Sequence, residues 1–321
     1  MKKTLKTLTL ASLAFICGVT GCFSQPSNWS FKPEKDKTSL YYDGQLVTSF
    51  HAAAPNKPAL HPVIANDGQD LTRAFPYGSR EGEREDHPHH TGIWFAHGDV
   101  NGIDFWHVDR GKPGKILEKN FNTELRGHQA IAKGSYEWSG PDNHIILEDQ
   151  RIISFERQGS DLILDWEMHL KATDQTVTFG DTKEGTFALR FHGMLVAKGE
   201  GKNARMINAQ GQSGKHIWGE KSKWVAYSGT HNNGKHYTVA VFDHPQNLRH
   251  PTTWHARDYG LLAVNPFGLK YFTNNKKKGE FTLKAGQTLK LKYRIIFQTQ
   301  DANSENLIRS YERYLKTIAS K

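Results

Sequence analysis

Asp161-Leu162-Ile163-Leu164-Asp165-Trp166-Glu167-Met168-His169-Leu170-Lys171-Ala172 is the stretch whose reading decides the fold. Leu162, Leu164, Trp166, Met168, Leu170 and Ala172 occupy every second position, interleaved with Asp161, Ile163, Asp165, Glu167, His169 and Lys171. A period of two over that length means a β-strand with one buried face. Working outward, residues 145–147, 151–156, 237–242, 261–264 and 289–297 read the same way. Turn chemistry separates them: Asp43-Gly44, Asp67-Gly68, Gly159-Ser160, Asn232-Asn233-Gly234 and Ala285-Gly286. Only the C-terminus carries a helical period, with Leu307, Ile308, Tyr311, Tyr314, Leu315 and Ile318 on one face, which predicts a helix packed on a sheet. No Rossmann glycine fingerprint, P-loop or fixed-period repeat is present. The expected fold class is all-β: a large antiparallel sandwich over residues 29–300 followed by a C-terminal helix over 301–321.

The N-terminus bears on the compartment. Lys2, Lys3 and Lys6 precede a short apolar run from Leu8 to Val19, the plan of a signal peptide over residues 1–21 and too short for a membrane span. Val19-Thr20-Gly21-Cys22 resembles the lipobox of bacterial lipoproteins, in which the cysteine is acylated and becomes the new N-terminus. Residues 22–28 are then a polar tether, and the protein is expected to be exported and held to a bacterial membrane, facing the periplasm or the cell surface. Ordinary cleavage a few residues later is the alternative. Cys17 and Cys22 are the two cysteines, so disulfides, thiolate metal sites and cysteine nucleophiles are excluded from the mature body. Of the formal charge of +9, Lys2, Lys3 and Lys6 supply +3, leaving a mildly basic +6 dispersed over the surface. That predicts no nucleic-acid groove and allows an acidic substrate.

Chemistry-bearing residues concentrate in two segments. Between Tyr77 and His107 lie His87, His89, His90, His97 and His107, mixed with Arg80, Arg84, Asp86, Asp99, Asp104, Trp94 and Trp106, a mixture foreign to a core strand and typical of a functional loop. Pro88 is expected to keep His87 extended, so that His87 and His89 project to one side and His90 to the other. Imidazoles two apart on a strand can share a divalent metal (Zn, Ca or Mn), with His255 or Asp86 as third ligand; otherwise they hydrogen-bond to loop carbonyls and to Asp86, Asp99 or Asp104. The second segment runs from Phe242-Asp243-His244-Pro245 through Arg249, Trp254-His255 and Arg257-Asp258-Tyr259. Asp-His-Pro thus occurs twice, as expected where a carboxylate orients an imidazole. Between them, Gly180-Asp181 and Glu184-Gly185 precede a strand with Arg190 and His192 on one face, which can supply an acid and a base. Trp94, Trp106, Trp254 and Tyr259 among polar groups suit a sugar, whose C–H face stacks while its hydroxyls take fixed hydrogen bonds.

These motifs, with Leu71-Thr72-Arg73, Gly92-Ile93-Trp94-Phe95, His97-Gly98-Asp99-Val100-Asn101-Gly102, Arg249-His250-Pro251-Thr252 and Asn265-Pro266-Phe267-Gly268, resemble the PmoA-like family of secreted or lipid-anchored bacterial proteins over residues 38–298. The family label, methane oxygenase, does not fit a chain without a spanning helix after its signal. The resemblance implies a β-sandwich, of galactose-mutarotase-like type, associated with sugar oxidoreductases and glycan-degrading proteins; fold analogy assigns no activity. The resulting expectation is a carbohydrate-processing lipoprotein working by acid–base chemistry (mutarotase, epimerase or lyase type). His89, His90, His255, Asp181 and Glu184 are its candidate catalytic groups. Arg84, Asp99, Asn101, Trp106, Arg190, Arg249, Trp254, Arg257 and Tyr259 are the candidate substrate contacts, and His87, His89 and His255 the candidate metal ligands. The alternative is a non-catalytic glycan-binding lipoprotein. All of this assumes that residues 86–107 and 243–259 meet in one cleft.

Overall fold

The computed structural model describes residues 28–53, 55–198 and 203–319; the expected signal peptide and Cys22 lie outside them. Two antiparallel sheets pack face to face. The first has nine strands in the order Trp29–Pro33, Lys37–Tyr42, Gln45–His51, Ala59–Val63, Ile93–His97, Gly185–Arg190, Leu261–Val264, Thr252–Arg257 and Lys221–Ser222. The second has eight, in the order Arg205–Asn208, Trp224–Thr230, His236–Asp243, Thr288–Gln298, Asp161–Lys171, Ile145–Gln158, Gln129–Ser139 and Lys115–Arg126.

The alternating stretch is the strand Asp161–Lys171, central in the second sheet between Ile145–Gln158 and Thr288–Gln298. Its apolar parity faces the first sheet: the Trp166 ring lies 5.2 Å from that of Phe187, and Phe187 stacks at 4.8 Å on Tyr293. Phe95 meets Trp138 at 5.9 Å across the same interface. Side chains from both inner faces therefore interdigitate into one core. Ile163 departs from the expected exposed parity and is buried, because its cross-strand partner Ile296 belongs to a second apolar cluster on the outer face. That cluster is completed by the helix Ser304–Ala319, whose Leu307, Tyr311 and Tyr314 close over Trp224 and Phe242. No disulfide ties the sheets together, since residues 23–321 contain no cysteine. Among the described residues no helix is long and apolar enough to cross a membrane.

The inner four strands of the first sheet position the site. Ile93–His97, Gly185–Arg190, Leu261–Val264 and Thr252–Arg257 lie side by side, and residues directly opposite in register share a face. Phe95 and Phe187 form one inward row. One residue away, the outer face carries the row Trp94, Ala188, Ala263, His255, and two further along, Arg190, Leu261, Arg257.

Candidate functional site

A cavity of about 380 Å³ opens on this outer face, walled by Arg84, His87, His89, His90, Trp106, His107, Arg110, Lys183, Glu184, Lys198, His255, Arg257, Tyr259 and Leu261. The histidine loop and residues 255–261 thus converge. Residues 243–250 do not join them. Buried Asp243 takes a hydrogen bond from Asn247 at 2.8 Å and sits 2.7 Å from His250 Nδ1, while His244 packs at the helix beside Tyr314. The second Asp-His-Pro triplet is structural and never meets the first.

The histidine loop departs from the extended course expected of it. His90 N–H donates to the His87 carbonyl at 3.0 Å, closing a turn with Pro88 at its second position, where a fixed φ favours turning. His87 itself has φ +48°, in the left-handed region. As a result the His87 and His90 rings stack at 4.8 Å instead of diverging, and the His89 ring stands edge-on to both, 5.5 and 4.5 Å away. Trp94 and Trp106 lie beneath His90 at 5.3 and 5.8 Å. His107 completes the group, 4.6 Å from His89, with its Nδ1 2.7 Å from Asp104 Oδ2. The carboxylate-oriented imidazole of this site is therefore the Asp104–His107 pair, spaced i, i+3, rather than an Asp-His-Pro triplet. Burial opposes ionisation of Asp104, but hydrogen bonds from His107 and the backbone N–H groups of His107 and Trp106 hold its carboxyl below the usual range.

Asp86 lies under the loop as a shared counter-ion. Its carboxylate meets Arg73 at 2.8 Å, Arg84 at 2.6 Å, Arg190 at 3.1 Å and His87 Nδ1 at 3.2 Å. Arg190 is buried beneath the cavity, with its guanidinium 4.7 Å from the Tyr259 ring centroid; it supports Tyr259 and Asp86 and does not line the wall. Arg84 and Arg257 approach the same ring at 5.9 and 5.5 Å.

On the opposite wall, His255 Nδ1 lies 2.9 Å from the Lys183 carbonyl. A carbonyl only accepts, so Nδ1 carries the proton and Nε2 keeps a free lone pair. Glu184, from the loop before Gly185–Arg190, accepts the Thr182 hydroxyl at 2.5 Å and pairs with Lys183. Burial works against its charge, but these two partners hold its carboxyl below the usual range. Glu184 is thus a carboxylate at neutral pH, suited to act as base or counter-charge. Burial pushes His255 down to about 4, assisted by Lys183 and Arg257. It pushes His89 down to about 2, with His107 and Lys57 adding repulsion, and His90 well below the ordinary histidine value, with His89 and Arg190 contributing. Both His89 and His90 leave a buried Nδ1 without a hydrogen-bond partner in the structure.

Several expected site residues lie elsewhere. Asp181 accepts the backbone N–H groups of Lys270 (3.0 Å) and Gly279, fastening the segment after Gly268. Asp99 accepts Gly102 N–H at 2.9 Å, and Asn101 bonds the Thr176 carbonyl and Thr178 N–H at 3.1 and 2.7 Å; both shape a turn. Arg249 donates to the carbonyls of Pro266, Gly279 and Glu280. Trp254 has the opposite parity to His255, so its ring is buried in the core, donating to Ser222 O at 2.9 Å. His87, His89 and His255 do not form a ligand set: among the described residues no group of three or more His, Cys, Asp or Glu side chains is arranged to hold a metal ion.

Sequence reasoning did not select His107, Arg110, Lys183, Lys198 or Leu261 as site residues, nor Lys57, which is fully buried behind the site. Lys57 Nζ donates to Asn56 Oδ1 and the Trp106 carbonyl, both at 2.9 Å, and burial lowers its ammonium to about 7. The Asp104–His107 spacing and the parity of the strand Thr252–Arg257 were readable signals. The lysines carry none, because isolated cations are common on solvated surfaces.

Solved structures with a similar course of chain include the α-galactosidase AgaB of Geobacillus stearothermophilus (9% identity, 86% of this chain and 42% of that one, TM-score 0.44). Another is a galactose mutarotase-like protein of Clostridium acetobutylicum (12% identity, 85% of this chain and 99% of that one, TM-score 0.40). The chain therefore spans less than half of the α-galactosidase. No curated protein matches it. A family model does, over residues 37–312, and the chain belongs to that family, described as a family of unknown function (DUF6807).

Proposed function

We propose that this cavity binds a sugar and moves a proton on it, with His255 as the base, in a reaction of the epimerase or lyase kind. The observation that carries this is the tautomer of His255. Its Nδ1–H is committed to the Lys183 carbonyl, so its Nε2 lone pair is left to the cavity that its ring lines. Abstraction of a proton from a carbon beside a carbonyl puts negative charge on that carbonyl oxygen. The cations Lys183 and Arg257 beside His255 suit that charge. Mutarotation develops less charge and uses them less. Tyr259 supplies aromatic surface for the pyranose, and His89 and His90 offer neutral imidazoles to its hydroxyls, with the Asp104–His107 pair beside them. Fold neighbours among sugar enzymes agree with a sugar ligand but leave the reaction open.

The test is proton exchange. Incubation of candidate sugars and 3-keto glycosides in deuterated buffer should give incorporation at carbon with the native chain and at least about 100-fold less with His255→Asn, a typical loss for a missing general base. Unchanged exchange in the variant would overturn the assignment.

The lowered basicity of His89 and His255 also suits a second reading, a glycan-binding protein without turnover, in which the imidazoles only hydrogen-bond. It is favoured if His255→Asn leaves affinity unchanged and no exchange is seen with any sugar. We further propose export and acylation at Cys22. Radiolabelled palmitate should enter the native chain and not Cys22→Ala.

A further inference from the structure

The cavity carries more positive charge than acid–base chemistry on a neutral sugar uses. Five cationic side chains line it, Arg84, Arg110, Lys183, Lys198 and Arg257, against one carboxylate, Glu184. Two of the five are already engaged, Arg84 with Asp86 and Lys183 with Glu184. Arg110, Lys198 and Arg257 form no ion pair with any described carboxylate, and all three are exposed. They come from separate places in the chain: the loop after Ile93–His97, the segment beyond the 3₁₀ turn Gly193–Leu195, and the end of Thr252–Arg257. Three cations from three elements converging on one cavity repel one another, and an anion placed among them removes that repulsion. A neutral sugar offers nothing to do so. A guanidinium, by contrast, takes a carboxylate or a sulfate ester through two parallel N–H donors.

We infer that the ligand of this cavity is an acidic sugar, its carboxylate or sulfate ester held by Arg257, Lys198 and Arg110. The sugar part rests on the function proposed above; the anionic part rests on the unpaired cations alone.

Titration calorimetry on the native chain at low salt tests it, with D-glucuronate, D-galacturonate, galactose 6-sulfate, glucose, galactose and inorganic sulfate as probes. An acidic sugar should bind at least about tenfold more tightly than its neutral counterpart, and the preference should shrink in salt that screens over a few ångströms. Arg257→Gln and Lys198→Gln should each remove most of the preference at unchanged melting temperature. Arg110→Gln, in an exposed loop, serves the same purpose should either variant fold poorly. Tighter binding of the uronates identifies a carboxylate, tighter binding of the sulfated sugar identifies a sulfate ester, and each supports the inference. Inorganic sulfate binding as tightly as any sugar means an adventitious ion only and overturns it, as does failure of every acidic probe to bind. Neutral sugars that bind and exchange as well as acidic ones, untouched by the charge substitutions, would overturn the inference while leaving the His255 reading intact. An acidic sugar that binds without any exchange would do the reverse.

Discussion

Asp104 does three things with one carboxylate. Its Oδ1 accepts the backbone N–H groups of Trp106 and His107 at 2.8 and 3.0 Å, and its Oδ2 faces His107 Nδ1. Asp104→Asn can keep the oxygen on the two backbone groups and place its amide NH₂ opposite Nδ1, which must then accept, forcing the proton to Nε2. We expect the fold to survive with a loss of about 1–3 kcal/mol, while turnover or ligand affinity falls at least tenfold. Imidazole nitrogen shifts read by NMR would show the tautomer change, and an unaltered His107 spectrum would refute it. The same residue illustrates what sequence can and cannot convey. Aspartate before histidine and proline is conspicuous at 86–88 and 243–245, yet the effective pair is the inconspicuous i, i+3 spacing from Asp104 to His107. A hydrogen bond of that kind depends on how the loop turns, and so does the clustering of His87 with His90, which follows from a left-handed φ at His87 that an X-Pro reading steers away from.

At the scale of strands and helices, periodicity was the reliable guide. The strand Leu261–Val264 has the bounds its sequence predicted, Asp161–Lys171 stops one residue short of its stretch, and the C-terminal helix appears as Ser304–Ala319. Parity also separates site from scaffold in the strand Thr252–Arg257: His255 and Arg257 face the cavity, whereas Trp254 and Ala256 face the core. Assigning Trp254 to the sugar overlooked that rule. Two element-level outcomes follow. Gly92, at the entry to Ile93–His97, has φ +74°, and an added Cβ would stand 2.2 Å from the Leu60 carbonyl oxygen. Gly92→Ala should therefore cost well over about 1 kcal/mol and weaken ligand binding as the strand and the adjoining histidine turn shift, measurable by denaturant melts and calorimetry. Leu307→Ala, in the helix, should cost about 2–5 kcal/mol by leaving a void over Trp224 and Phe242. Since that cluster is separate from the cavity, affinity measured well below the melting temperature should be unchanged.

For the whole molecule, burial of imidazoles couples folding to acidity. His61, His89, His97 and His255 are all buried, with values lowered to about 3, 2, 4 and 4. In the unfolded chain each takes up a proton near pH 6.5. The unfolded state then binds more protons than the native state, so stability is fully present above about pH 6.5 and falls as pH drops toward 4. Each group contributes up to ~1.4 kcal/mol per pH unit in that window. Four together approach the whole stability of an ordinary domain, on the order of 5–15 kcal/mol, within two or three units. Thermal melts from pH 8 to 4 should show a plateau followed by a steep decline beginning near pH 6.5; a flat profile down to pH 5 would contradict the burial of neutral imidazoles. An anion among the cavity cations opposes part of the repulsion on His89 and His255, so a saturating acidic sugar should move the decline to lower pH.

The thiol-free body gives a practical opening. A cysteine introduced at the exposed Asp109, next to Arg110 on the rim of the cavity, would be the sole thiol of residues 23–321. Maleimide coupling would then place a fluorophore at one defined point, and its emission would report occupancy directly, whatever product the reaction forms.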